Sequence, residues 1–304
     1  MSIQRSDVGF DVAGCRVAAW WFQPENPVAS PSPCIVMAHG LGGTRDAGLE
    51  PYAQVFAEAG FPVLLFDYRH FGASEGVPRQ LISVPRQLAD WQAAIDFARS
   101  QPGVDPARIA LWGSSFSGGH VVVAAARDGR VAAISSQGPM MDGLAAVINM
   151  VRYAGPRQLL RMSGVALVDQ VRGLFGQSPL YTPIVGRPGE LAAMTTEDAQ
   201  SGYEAITPDN WRNELAARLA LQLPLYRPVS YARRLPCPAL IIVCTDDSVA
   251  PPEAAEKTAR KAGFKAELKR YDGMKHFEIY LGEGFERSSE DQLEFFRRHL
   301  LTES

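Results

Sequence analysis

The sequence predicts an α/β fold: a mostly parallel central sheet with helices on both faces and a helical segment inserted in the second half of the chain. Three observations carry this expectation. Short apolar runs alternate with segments of helical periodicity through the first 138 residues and again beyond residue 229, which is the rhythm of βαβ units. Those runs are apolar almost throughout rather than alternating, as expected of strands covered on both faces. Between them, residues 139–228 interrupt the rhythm for longer than an ordinary sheet connection would.

The elements follow in order. Two strands are expected near Asp7–Val12 and Arg16–Phe22, followed by the Pro/Ser-rich connection PENPVASPSP. The apolar run CIVMAHG leads into a helix near Leu49–Ala59, PVLLFDY into a helix near Pro85–Ser100, and RIALWG into a helix near Ser117–Arg127; VAAISSQG is the next strand. In the interruption, stretches near Leu144–Met150, Leu159–Leu174, Leu191–Gly202 and Trp211–Leu221 carry helical patterns between Pro/Gly-rich segments. The strand rhythm resumes at ALIIVCTDD, with a helix near Pro252–Ala262, a strand at Ala266–Tyr271 and a last helix near Ser288–Leu300. Residues 1–138 and 229–304 are therefore expected to form one core, with 139–228 inserted in it as a helical cap.

Composition narrows the function classes. A chain of 304 residues, 46% of them hydrophobic, buries a large core without staples. With 30 basic and 33 acidic residues, no long basic run and a net charge of -3, it offers no electrostatic reason to expect nucleic acid or an anionic membrane as a partner. Cys15, Cys34, Cys237 and Cys244 lie far apart and fit no metal-ligand spacing, so buried free thiols are expected rather than a disulfide framework or a metal site. No secretory leader and no bilayer-length apolar run is legible, which makes a cytoplasmic location the default expectation. Oligomeric state is not legible, because subunit contacts and cap packing use the same apolar residues.

One stretch invites chemistry. WGSSFSGGH, residues 112–120, lies where a buried strand should turn into a helix. A serine on such a turn is held out of the sheet, and the next backbone N–H points toward a developing oxyanion. Ser115 occupies that position, although Ser115 or Ser117 could instead cap a helix in a glycine-rich connection. A hydroxyl nucleophile needs a base and an orienting carboxylate. Asp246 and Asp247 follow the strand ALIIVC, and His276 follows the next strand in KRYDGMKHFEIY. Ser, Asp and His thus stand in chain order, each at a strand end, and the conjunction selects Ser115 among the three serines. The other histidines fit supporting places: His299 in the last helix, His120 beneath the turn, His70 in a loop, and His39 bonding its own loop. The N–H groups of Leu41, in AHGLGG, and Phe116 are the candidate oxyanion donors. The same glycine-rich loop lacks both phosphate-binding fingerprints, so nucleotide binding is not expected.

These residues resemble those of the α/β-hydrolase superfamily over most of the chain on either side of the insertion. MAHGLGG is similar to its oxyanion loop, GSSFSGG to its nucleophile elbow with Ser117 where glycine is usual, CTDDSVAP to its acid loop and GMKH to its histidine loop. FDYRHFGAS is similar to the loop after the next strand, with His70 in place of a more familiar glycine. The family's acid-loop spacing falls on Asp247 and Pro251, which favours Asp247 over Asp246. The resemblance implies a serine hydrolase with the triad Ser115, Asp247 and His276, oxyanion donors at Leu41 and Phe116, and no cofactor or metal. A small or medium, neutral or apolar carboxylic ester is the first substrate class. Peptide, amide and thioester cleavage and acyl transfer use the same triad, and some members of the superfamily only bind small molecules. Met140, Met141, Val147, Met150, Leu159, Leu160, Met162 and Phe175 could line the acyl pocket or form packing faces of the cap helices.

Overall fold

The computed structural model describes residues 2–301. Its central sheet has eight strands: β1 (Ile3–Val12), β2 (Cys15–Pro24), β3 (Ser32–Ala38), β4 (Val63–Phe66), β5 (Val104–Ser114), β6 (Ala133–Gln137), β7 (Ala239–Cys244) and β8 (Ala266–Tyr271). Their order is β1-β2-β4-β3-β5-β6-β7-β8. Only β1/β2 and β2/β4 run antiparallel; from β4 to β8 every pair is parallel. The expected mostly parallel sheet is therefore present.

Alternation within single strands separates two cores. Ile35 and Met37 of β3 pack with Tyr52 and Phe56 of α1 (Glu50–Glu58) and Phe295 and Phe296 of α9 (Gly282–Leu300). Cys34, Val36 and Ala38 face the other way, into the core of α2 (Val84–Ser100), α3 (Phe116–Asp128) and α8 (Pro252–Ala262). Helices thus cover both faces. The chain leaves β3 toward β4 on one side and reaches β5 on the other, so the ends of β3 and β5 form a switch point, where open α/β sheets hold their ligands.

Three expectations need correction. The first hairpin is longer than its apolar residues suggested, because much of β1 is exposed and carries polar side chains. Within the insertion, α4 (Gly143–Ala154) and α5 (Pro156–Leu174) form as expected, but Leu191–Gly202 and Trp211–Leu221 are largely irregular. Only α6 (Ala199–Glu204) and α7 (Leu219–Gln222) are helical there. A two-residue ladder joins Tyr181–Thr182 to Leu215–Ala216, and Asn213 Oδ1 accepts from the N–H groups of Ile184 and Val185, both at 2.9 Å. Apolar residues that mimic a helical pattern here are buried by such long-range contacts instead. Last, Cys34, Cys237 and Cys244 are buried free thiols, whereas Cys15 is half-buried.

His120 on α3 joins insertion and core. Its Nε2–H donates to Gln87 Oε1 of α2 (3.0 Å), and Nδ1 meets the Tyr226 hydroxyl of the insertion (2.6 Å). Burial pushes its pKa from 6.5 down to about 3, with the charges of His39 and Arg127 acting in the same direction. The folded chain therefore keeps His120 neutral where the unfolded chain binds a proton, so this linkage destabilises the fold as pH falls through 6.5 toward 3. At pH 5 the cost is on the order of 2 kcal/mol. His120→Gln should flatten the loss of thermal midpoint between pH 7 and pH 5. The buried carboxylates Asp67 and Asp90, each pushed up to about 6 by desolvation, titrate in both proteins and cancel in the comparison. An unchanged slope would contradict the assignment.

Candidate active site

The turn from β5 into α3 passes through Ser115 at φ 55°, ψ -117°, a conformation rare for a residue with a side chain. Close packing of small residues holds it there. A Cβ on Gly113 would lie 2.4 Å from the carbonyl oxygen of Ser117, and one on Gly119 would lie 2.4 Å from that of Met140. Two backbone bonds fasten the turn: Ser115 N–H donates to Gln137 O (2.8 Å) and Met140 N–H to Ser115 O (3.0 Å).

This geometry separates the three serines. The Ser114 hydroxyl is buried against Tyr280 OH (2.5 Å), and that of Ser117 against Tyr68 OH (2.8 Å). Ser115 Oγ instead stands 3.1 Å from His276 Nε2. His276 Nδ1–H donates to Asp247 Oδ2 at 2.6 Å, which leaves Nε2 as the acceptor for the serine proton. Asp247 is itself held by the N–H groups of Val249 (2.8 Å) and Ala250 (2.7 Å) on Oδ1. Its neighbour Asp246 is exposed, and only Asp247 of the pair reaches His276. Gly138, at φ 46°, follows β6 directly and lies against this pair; a Cβ there would lie 3.7 Å from the His276 ring and 3.9 Å from Asp247 Oδ2. The structure therefore brings Ser115, Asp247 and His276 into one hydrogen-bonded chain.

The loop after β3 closes over the serine. A Cβ on Gly40 would lie 3.0 Å from Ser115 Cβ, and Leu41 follows directly. Phe116 opens α3, where a helix's first N–H groups have no intrahelical acceptor. Leu41 and Phe116 both line the cavity at Ser115. His39 bonds its own loop as expected: Nδ1–H donates to Gly40 O (3.0 Å) and Nε2 accepts from Tyr68 N–H (3.4 Å). Burial pushes its pKa down to about 4, so the ring stays neutral near pH 7. Two further clamps escaped the sequence reading. Tyr203 OH donates to Leu41 O (2.6 Å) and Trp211 Nε1–H to Gly42 O (2.8 Å), the two rings stacked at 4.8 Å. Both come from the insertion, in stretches without a motif to mark them.

His70 also gains a reason. It sits at φ 76°, in the left-handed region where glycine is favoured, and spends both ring nitrogens on Pro78 O (2.9 Å) and an Arg86 guanidinium nitrogen (3.1 Å). It is a buried brace of its loop.

Ser115 opens on an apolar cavity of about 100 Å³ whose walls include Met140, Val147, Met150, Leu159, Met162 and Met194. A smaller recess, sharing Leu41, Ser115 and Met194 with the cavity, also reaches His276, Tyr203 and Tyr280. No Asp or Glu is among the described residues lining either space. Of the candidate pocket residues, Met141 is buried but does not line the cavity, while Leu160 and Phe175 point outward to solvent. Leu160 follows Leu159 by about 100° around the helix, which turns it from the cavity.

Comparison with known proteins agrees with this architecture. The family profile described as serine aminopeptidase, S33, matches residues 29–280. The quorum-quenching protein AidA of Acinetobacter baumannii is 44% identical over 297 residues, covering 96% of this chain and 94% of its own. The thiohydrolase aneE of Aspergillus aculeatus is 29% identical over 270 residues, 86% of this chain and 84% of its own. The crystal structure of the alpha/beta hydrolase GrgF from Penicillium sp. sh18 superposes with a TM-score of 0.81 at 26% identity, covering 98% of this chain and all of the other. With its eight-stranded sheet, its elbow serine and a family match spanning most of its length, the chain belongs to the α/β-hydrolase superfamily, within the S33 serine aminopeptidase family.

Proposed function

We infer that the protein is a serine hydrolase that cleaves carboxylic esters of small to medium apolar acids through an acyl-enzyme. The observation that carries this reading is the chain Asp247–His276–Ser115, which ends on an apolar cavity. Ser115 Oγ attacks the ester carbonyl carbon while His276 Nε2 takes its proton. Asp247 holds the required tautomer and stabilises the imidazolium. The N–H groups of Leu41 and Phe116 receive the developing oxyanion. His276 then passes its proton to the departing alkoxide, which leaves as the alcohol. Water, deprotonated by the same imidazole, attacks the acyl carbon and releases the acid, returning the proton to Ser115.

The apolar cavity suits the acyl chain, and the smaller recess, which reaches His276, suits the alcohol side. The absence of carboxylates from the described lining argues against the aminopeptidase activity in the family's description, since a free α-ammonium group needs a negative partner. A thioester reading has its own support, because the relative aneE carries the name thiohydrolase and a thiolate leaves from the same tetrahedral intermediate. Parallel assays with oxygen esters and thioesters of one acid, compared by kcat/KM, rank the two.

Ser115→Ala should lower turnover of p-nitrophenyl esters at least 10³-fold and Asp247→Asn by a comparable factor, while Asp246→Asn should stay within about twofold of the wild type. Equal turnover by Ser115→Ala would overturn the nucleophile, and absence of turnover on every acyl substrate would assign the fold a binding role. With ester series of graded acyl length, kcat/KM should rise by about fourfold per methylene until the cavity is filled. Met162→Trp should move that limit to shorter acids; an unchanged length profile would place the acyl chain elsewhere.

A further inference from the structure

Helix α5 is buried on one face and apolar on the other. Gln158, Met162, Ala166 and Asp169 pack inward, with the Asp169 carboxylate held bidentately by Arg218. On the outer face, Leu160, Leu167, Val168, Val171, Leu174 and Phe175 are between 45% (Val171) and 77% (Phe175) exposed. Isolated exposed apolar residues are ordinary, but a row of five on one helix with a sixth at its C-cap is not.

Their spacing is informative. Leu160, Gly164, Leu167, Val171 and Leu174 follow one another at intervals of four, three, four and three, the repeat of a coiled-coil seam with leucine at each d position. Gly164 falls in this row, and a Cβ there would meet nothing within 4 Å, so a second helix has room to approach closely. Ser163 and Gln170 beside the seam are uncharged; exposed Arg157, which continues the seam one step toward the N-terminus, and Arg161 beside it lie in the first third of the helix, and Arg172 lies near its C-terminus. A helix that lies on lipid sets a basic polar face opposite its apolar one; the opposite face of α5 is instead packed into the protein.

We propose that this seam pairs with the same seam of a second copy of the chain, forming a two-fold dimer through α5. Six side chains so exposed amount to several hundred Å² per copy, the scale of the roughly 800 Å² that each partner contributes to a stable interface. The same patch on both partners is what a two-fold contact requires. Because Leu159 and Met162 on α5 line the cavity, the pairing braces the cavity wall from outside.

Sedimentation velocity at micromolar protein tests the pairing. The wild type should run at twice the 33.1 kDa chain mass, and Leu167→Arg/Leu174→Arg should run as a monomer with unchanged far-ultraviolet circular dichroism. Hydrogen exchange on the unaltered protein across a dilution series gives a second reading: amides of residues 160–175 should lose protection on dilution. A monomeric wild type, a dimeric double variant, or protection independent of concentration would each overturn the proposal. So would a monomer that floats with anionic phospholipid vesicles, which would assign the face to lipid.

Discussion

The site depends on one backbone angle, the positive φ of Ser115. A residue with a side chain in that region costs on the order of 1–3 kcal/mol relative to ordinary backbone, and the turn persists because its surroundings allow no other path. Gly113 and Gly119 admit neighbouring carbonyls where any side chain would collide, and hydrogen bonds to Gln137 and Met140 fasten both sides of the serine. The turn directs Ser115 Oγ away from the sheet and sets the Phe116 N–H beside it at the helix start. Its hydroxyl can then meet a base that no local segment supplies.

The remaining parts reach the elbow through the sheet order. β3 lies beside β5, so the loop after it falls against Ser115; β7 and β8 lie beyond β6, and their following loops deliver Asp247 and His276. The insertion completes the arrangement from above. Its aromatic side chains clamp the Leu41–Gly42 carbonyls, its Tyr226 meets the buried His120, and the inner sides of α4 and α5 wall the cavity. Cavity walls and loop geometry therefore share one segment, so changes in the insertion alter the cavity and the Leu41–Gly42 loop together.

How far the sequence could be read follows from the range of the interactions. The βαβ rhythm was legible because buried strands such as β4 (VLLF) and β7 (ALIIVC) are continuous apolar runs, a local property, although β6 (AISSQ) buries two serines and a glutamine. Ser115, Asp247 and His276 were legible because strand ends concentrate chemistry and chain order narrows the choice. The distinction between Asp246 and Asp247 rested on family spacing, and geometry supplies its reason: one carboxylate is exposed, the other held by two N–H groups facing His276. The second half of the insertion was misread because its order comes from partners distant in sequence, such as Asn213 on Ile184 and Val185. Tyr203 and Trp211 had no local signature for the same reason. Hydrophobicity alone left Leu160 and Phe175 open between pocket lining and cap packing, and it does not show that both face solvent.

The central claim is that Ser115, and neither of its neighbours in GSSFSGG, is the nucleophile. Labelling the intact protein with a fluorophosphonate and sequencing the modified peptide by mass spectrometry tests it most directly. The account requires one adduct per chain, on Ser115, forming in step with loss of esterase activity. An adduct on Ser114 or Ser117, or full ester turnover after Ser115 is blocked, would contradict it.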